Sequence, residues 1–271
     1  MFAVVGLLLV CYVLGDAPFE QVRTHVEWSR QNVDEDQPGK YFHESSFSGH
    51  HDGRFADRQL GYEERNDHLT ALCHTYLSTM NDLGIETWLM HGTLLGWYWN
   101  RKVLPWDNDL DVMITEKSLY HLANYYNMTV YHHHLPELAA HGRDYLLEVN
   151  PHYAEGGEDS VNRIDARWVD MDTGLFIDVT TLRRNRTAKE GGEDALMVKD
   201  LHSYKFDDVF PLRISVFEDF PVRIPYAYAD LLVNEYGENA LVDMKYGNHR
   251  FDAERGVWVK QEYAGVVHPL D

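Results

Sequence analysis

The chain has 271 residues, enough for one large domain or two small ones, and its 44% hydrophobic content is ordinary for a globular protein. Its 24 basic and 44 acidic side chains leave a formal charge of −20. That balance excludes a general affinity for nucleic acid, whose phosphates need clustered Lys and Arg, and for anionic membrane. Any anionic ligand must be met by a local basic pocket or by a metal ion.

Met1–Leu14 is almost wholly apolar, and Gly15-Asp16-Ala17-Pro18 breaks the run. The pattern predicts a signal peptide over residues 1–15, cleaved after Gly15. It is too short for the roughly 18–20 residues that span a bilayer, so no stable membrane span is expected. Asn127-Met128-Thr129 and Asn185-Arg186-Thr187 fit the N-glycosylation pattern and agree with a secretory route, in the ER or Golgi lumen or outside the cell. Cys11 falls in the leader, which leaves Cys73 alone in the mature chain and excludes an intrachain disulfide or a cysteine zinc site.

Residues 16–59 are polar and without period, and read as an irregular N-terminal arm; residues 60–271 form the domain. Leu69, Leu72, Cys73, Tyr76, Leu77, Met80 and Leu83 recur at three and four, an amphipathic helix that Gly84 ends and whose apolar face takes Cys73 into the core. Ile85–Met90 reads as a strand, and His91–Gly96 as a tight turn opening a short helix. The strand ending near Ile114 follows, then a helix over Glu116–Tyr126 capped by Thr115, with Asn127 just beyond it. Strands are expected at Asp144–Val149, Asn162–Val169 and Gly174–Leu182, a surface loop at Arg183–Asp200, and a hairpin of Pro211–Phe217 with Pro221–Ile224 around Glu218-Asp219. Tyr226–Tyr236 is the last helix, stopped by Gly237. This order gives an α+β domain: a mixed sheet flanked by helices.

The most informative run is Leu104-Pro105-Trp106-Asp107-Asn108-Asp109-Leu110-Asp111-Val112-Met113-Ile114. On a strand, Asp107, Asp109 and Asp111 share one face, where three like charges repel unless a cation lies among them. An EF-hand loop is excluded, because Val112 stands where glycine is needed and Ser118 where a bidentate carboxylate is needed. Asp178 interrupts the apolar strand Gly174–Thr180 and points from the same face as Phe176, which makes it either a hydrogen-bonded structural residue or a further metal ligand. Gly92-Thr93, between a strand and a helix, lets a phosphate approach backbone N–H groups. His132-His133-His134 and His50-His51 read as solvated rather than ligating. Trp97, Tyr98 and Trp99 either stack on a sugar or base or pack a helix on the sheet.

The blocks Gly92-Thr93-Leu94-Leu95-Gly96, Pro105–Val112, Gly174–Asp178, Phe210–Leu212, Phe217–Val222 and Tyr236-Gly237 resemble the LicD and fukutin group of the polymerase-β-like nucleotidyltransferase superfamily. Lys40–Ser45, Asp52–Asp57 and Asn162–Trp168 look more like its fungal branch, whose known yeast member is needed for adding mannosylphosphate to cell-wall mannan. The resemblance implies a nucleotidyltransferase-like fold. It implies one or two Mg²⁺ or Mn²⁺ ions held by Asp109 and Asp111, with Asp107 as a further metal ligand and Asp178 completing the site and serving as base. It implies phosphates cradled by Gly92 and Thr93, with Arg101, Lys102, Arg163 and Arg167 neutralising charge. Where many such proteins carry an arginine soon after Leu-Leu-Gly, Trp99 stands here. The implied function is transfer of mannose 1-phosphate, from GDP-mannose, to a glycan hydroxyl. Three alternatives stay open. One is a glycosyltransferase that chelates its nucleotide sugar through Asp109-Leu110-Asp111. Another is a non-catalytic regulator of a partner transferase. The third is a ribitol-phosphate or phosphocholine transferase with a cytidine donor.

Overall fold

Helix α1, Tyr62–Asp82, turns Leu69, Leu72, Cys73, Tyr76 and Met80 inward, and Gly84 (φ +68°) reverses the chain beyond it. The computed structural model that shows this describes residues 13–14, 38–135, 138–155, 159–185 and 195–261. The leader cleavage point, arm residues 16–37, Arg186 and Thr187 of the second sequon, and Gly191-Gly192 lie outside the described residues. Val13–Leu14 forms strand β1 and Glu44–Ser45 pairs with Ser48–Asp52 as the hairpin β2–β3. After α1 come β4 (Thr87–Leu89), α2 (His91–Asn100), β5 (Leu110–Thr115) and α3 (Glu116–Tyr125), with Thr115 Oγ1 accepting from Ser118 N–H as the expected cap. Then follow β6 (Thr129–Leu135), β7 (Ala139–Val149), β8 (Ala166–Asp170), β9 (Phe176–Arg184), β10 (Ala195–Met197), β11 (Ser203–Lys205) and a single turn α4 (Phe206–Val209). The hairpin β12–β13 (Arg213–Phe217, Phe220–Ile224), helix α5 (Tyr228–Tyr236) and the meander β14 (Lys245–Tyr246), β15 (His249–Asp252) and β16 (Val257–Lys260) close the order.

The main sheet is mixed, and its centre is β9. That strand pairs antiparallel with β8 and, at its far end, β10, and parallel with β5, which also pairs with β4. Beyond β8 lie β7, β6 and the two residues of β1. Alternation divides the sheet into two chemistries. Leu147, Trp168, Ile177 and Leu110 point to one face and pack in the core that includes α1, where Trp168 Nε1 donates to Thr75 Oγ1 at 3.2 Å. Glu148, Arg167, Asp178 and Asp111, each opposite the next, point to the other face.

That second face is covered by the arm. Residues 38–59 fold onto it with a small apolar patch (Leu146, Val169, Phe176, Met128) and a charged contact. Arg54 binds Asp52 (2.7 Å) and Glu148, all three almost fully buried, and Tyr41 Oη donates to Glu148 at 2.7 Å. Asp52 N–H donates to Gly174 O at 2.7 Å, so close that a Cβ on Gly174 (φ +77°) would sit 2.8 Å from Ala56 N.

Several strands were not expected: the arm hairpin β2–β3, β10 within the expected Arg183–Asp200 loop, β11, β6 and the meander β14–β16. β6 carries the histidine run, and its inward positions are Tyr131 and His133, which pack on the Trp168 ring (centroids 5.4 and 6.1 Å) where aliphatic residues would have signalled a strand. His132 meanwhile bonds Asp144 (2.7 Å) and His133 bonds Thr79 (3.1 Å). The meander β14–β16 turns at Gly247-Asn248, with Gly247 at φ +53°, a two-residue hairpin signal present in the sequence. Asn127 is exposed, and its Oδ1 accepts from Val149 N–H at 2.8 Å.

Replacing Arg54 by Ala would take from the buried Asp52 and Glu148 the guanidinium that bonds both. Urea unfolding should show a loss of about 3–5 kcal/mol, whereas a change under 1 kcal/mol would mean that the arm is not anchored there.

Candidate metal centre

Parallel pairing of β5 with β9 sets Asp111 directly opposite Asp178, and Asp109 enters from the loop just before β5. One carboxylate oxygen of each of Asp109, Asp111 and Asp178 lies within 4.8 Å of the other two. Three hard oxygen donors at that spacing suit Mg²⁺ or Mn²⁺. Thr93 Oγ1 accepts from the Asp111 N–H at 2.8 Å, tying the first turn of α2 to the acidic strand. The first N–H groups of any helix lack partners within it, so Gly92 and Thr93 offer a positive backbone end beside the carboxylates.

The charges fit a missing cation. Burial first, and the neighbouring Asp109 charge second, push the Asp111 carboxyl well above the ordinary carboxylate range. Burial also raises Asp178, although Arg167 opposes it through a 2.7 Å bond. The hydrogen bond to Asp109, 2.9 Å from His50 Nδ1, raises the His50 imidazole. Among the described residues the Asp111 side chain has no ion-pair partner. Like charges this close are stable together only with a counter-charge.

The structure does not group Asp107 with the three. Its carboxyl lies next to Gly92, where an added Cβ would be 3.5 Å from Oδ2, and burial together with Asp109 raises it to about 7. Arg167 is brought to the site: it bonds Asp178 and, at 2.8 Å, Glu44, and it lies 3.7 Å over the Phe176 ring. Arg101 and Lys102 are not. They follow the C-terminal end of α2, roughly 13 Å along the axis from Gly92 at 1.5 Å per residue. There Arg101 lies 3.9 Å over the Trp97 ring, and Lys102 binds Asp219 (2.7 Å) and Glu218 (3.3 Å). Arg163 is exposed and donates to Ser160 O at 3.1 Å.

His50, Glu44, Asp52, Arg54 and Glu148 went unrecognised as site residues by sequence reasoning. Glu44, Asp52 and Arg54 lie in Lys40–Ser45 and Asp52–Asp57, runs too polar and aperiodic to read as structure, while His50 read as solvated and Glu148 lay in the strand expected at Asp144–Val149. His91, which opens α2 at φ +52°, is also held: Nδ1 lies 2.8 Å from Glu235, and that contact outweighs burial and raises the imidazole to about 9.

A family model described as "LicD/FKTN/FKRP, nucleotidyltransferase domain" matches residues 84–227, more than half of the chain. The chain therefore belongs to this family, and residues 84–227 contain all three carboxylates. It is similar to two proteins of Saccharomyces cerevisiae. One is mannosyltransferase regulator 4, 33% identical over 137 residues, which are 49% of this chain and 11% of the relative. The other is mannosyltransferase regulator 14, 31% identical over 195 residues, 62% of this chain and 20% of the relative. The chain thus spans a fifth or less of these relatives. Their origin agrees with the fungal branch that the arm motifs resemble.

A carboxyl raised in the fold costs stability once ionised, so the metal-free protein should lose stability as pH rises above about 4 until Asp111 has ionised. Asp111→Asn removes that cost: in EDTA at pH 7.5 it should melt roughly 2–6 °C above the parent and lose the upward shift that Mn²⁺ gives the parent. Because protons compete for the same oxygens, the parent's Mn²⁺ dissociation constant should rise about tenfold or more from pH 7 to pH 5 by calorimetry. A flat profile would place the ion elsewhere.

Proposed function

We propose that this chain is a metal-dependent phospho-sugar transferase of the secretory pathway, moving mannose 1-phosphate from GDP-mannose to a glycan hydroxyl in glycoprotein mannosylphosphorylation. The observation that carries the reading is the Asp109, Asp111 and Asp178 triad beside the first turn of α2. A divalent cation bound there would neutralise the donor diphosphate and polarise the phosphorus to be attacked.

The chain's own residues supply the rest. Gly92 and Thr93 N–H groups receive phosphate oxygens. Arg167 orients Asp178 and retains one buried donor, Nη1, with no acceptor among the described residues, for a further oxygen. Asp178 is bonded to Arg167 through Oδ1, which leaves Oδ2 to take the acceptor's proton. The acceptor oxygen bonds to the phosphorus distal to guanosine, the bond from that phosphorus to the bridging oxygen breaks, and GMP leaves with that oxygen. The products are a phosphodiester, GMP and a proton.

The relatives' names favour a second reading, in which the chain regulates a partner transferase. The retained triad supports catalysis instead. The two hydroxyl-directed alternatives differ in their products: a glycosyltransferase releases nucleoside diphosphate, and a cytidine donor yields CMP. Among the described residues no helix is long and apolar enough to cross a membrane.

Incubation with GDP-mannose, Mn²⁺ and manno-oligosaccharide should release GMP. Asp109→Asn should lower that rate by at least about 10³-fold while melting no lower than the parent in EDTA, as expected when a ligand to the charge-stabilising ion is lost. GDP as product would select the glycosyltransferase reading. Full activity of the variant would remove the metal-ligand role of Asp109, and no activity of the parent would remove catalysis.

A further inference from the structure

A cavity of about 400 Å³ opens beside the first turn of α2: its lining begins at Gly92 and Asp107 and runs out to α5's end and the β14–β16 meander. That size is within the range of small-molecule sites. Its apolar wall is aromatic. Trp106 packs against Tyr246 at 4.6 Å and Trp258 at 5.0 Å between ring centroids, and Trp258 meets Trp99 at 4.8 Å. The meander that supplies Tyr246 and Trp258 lies outside the segment matched to the family, residues 84–227.

From these features we infer that the cavity is a subsite for a neutral hexopyranose ring, a reading that rests on the proposed phospho-sugar transfer and assigns where its sugar lies. Three observations select this occupant. The polar members of the lining include Asp107, Asp243 and Asn239 with the single cation Lys245, a balance that repels phosphate and suits hydroxyl groups. In the proposed function the phosphates lie at the α2 N-terminus and the triad, none of whose carboxylates lines this cavity. The rings are mutually tilted by 37°, 67° and 79°, so these contacts offer single aromatic faces for a sugar's C–H side instead of a parallel slot for a nucleobase. Trp258 Nε1 is buried with no acceptor among the described residues, a donor left over in this wall.

The sugar has two sources, the donor's mannose and the acceptor glycan, and binding separates them. In EDTA, without nucleotide, the full chain is titrated with methyl α-mannoside and manno-oligosaccharide, read by tryptophan fluorescence and saturation-transfer NMR. With Mn²⁺ it is titrated with GDP and GDP-mannose. Tyr246 is 60% exposed and Asp243 is exposed, so Tyr246→Ala and Asp243→Asn spare the core. Oligosaccharide binding weakened about tenfold by Tyr246→Ala and severalfold by Asp243→Asn supports an acceptor ring. GDP-mannose weakened to that extent with GDP unchanged supports the donor ring. GDP weakened as much as GDP-mannose would make the cavity a base site, and no effect on any ligand would empty it; either overturns the subsite. Sugar binding in EDTA does not need turnover. A sugar-binding protein that releases no GMP would lose only the transfer reading, and an active one indifferent to Tyr246→Ala would lose only the subsite.

Discussion

Asp178 stands between Asp111 and Arg167 because β9 pairs in parallel with β5 and antiparallel with β8. A one-residue slip in either ladder would send a charge into the apolar core and a core residue to the charged face. The opposite face resists such a slip, since Leu147, Trp168, Ile177 and Leu110 form the matching row there, against the core that α1 closes. Register is therefore fixed by burial on one side and spent on chemistry on the other. The parallel pair matters most: it brings two carboxylates into contact from strands separated by α3 and three further strands.

Charge on that face is arranged in layers. Arg167 is matched by Asp178 and Glu44, and Arg54 by Asp52 and Glu148, each buried cation held by one carboxylate from the sheet and one from the arm. The arm is thus a structural counter-charge to the sheet as well as a cover. Arg167 keeps Glu44 low despite burial, yet it does not bring Asp178 back to the ordinary range. The excess of negative charge is concentrated where Asp109, Asp111 and Asp178 converge, with only His50 and Arg167, among the described residues, bonded to their carboxylates.

Much of this was legible because each signal was local. Heptad-like spacing located α1, Gly84 and Gly237 ended helices as their positive φ requires, and Glu218-Asp219 made the hairpin turn at φ +48° and +60°. Asp178 was readable as a break in an apolar strand. The arm was not, because its order comes from ion pairs with residues about a hundred positions away, such as Arg54 with Glu148, and no period records them. Arg101 and Lys102 misled for a related reason. Sequence proximity to the Gly-Thr turn placed them near the phosphates, whereas the intervening helix carries them to its other end, where Glu218 bonds the Val103 N–H at 2.7 Å and collects Lys102.

For the proposed anionic donor an acidic chain presents a difficulty, and α2 divides the labour that would resolve it. Its N-terminus, uncapped by any side chain, presents bare N–H groups next to the triad. Its C-terminal end is neutralised instead, with Arg101 bonded to Trp97 O and stacked on the Trp97 ring. In the proposed reading few mobile lysines or arginines would be required near the phosphates, because backbone dipoles and a cation gathered by three carboxylates would replace them. Under the proposed transfer, an overall −20 is compatible with phosphate chemistry, because the anion would meet backbone dipoles and a metal site instead of a basic surface.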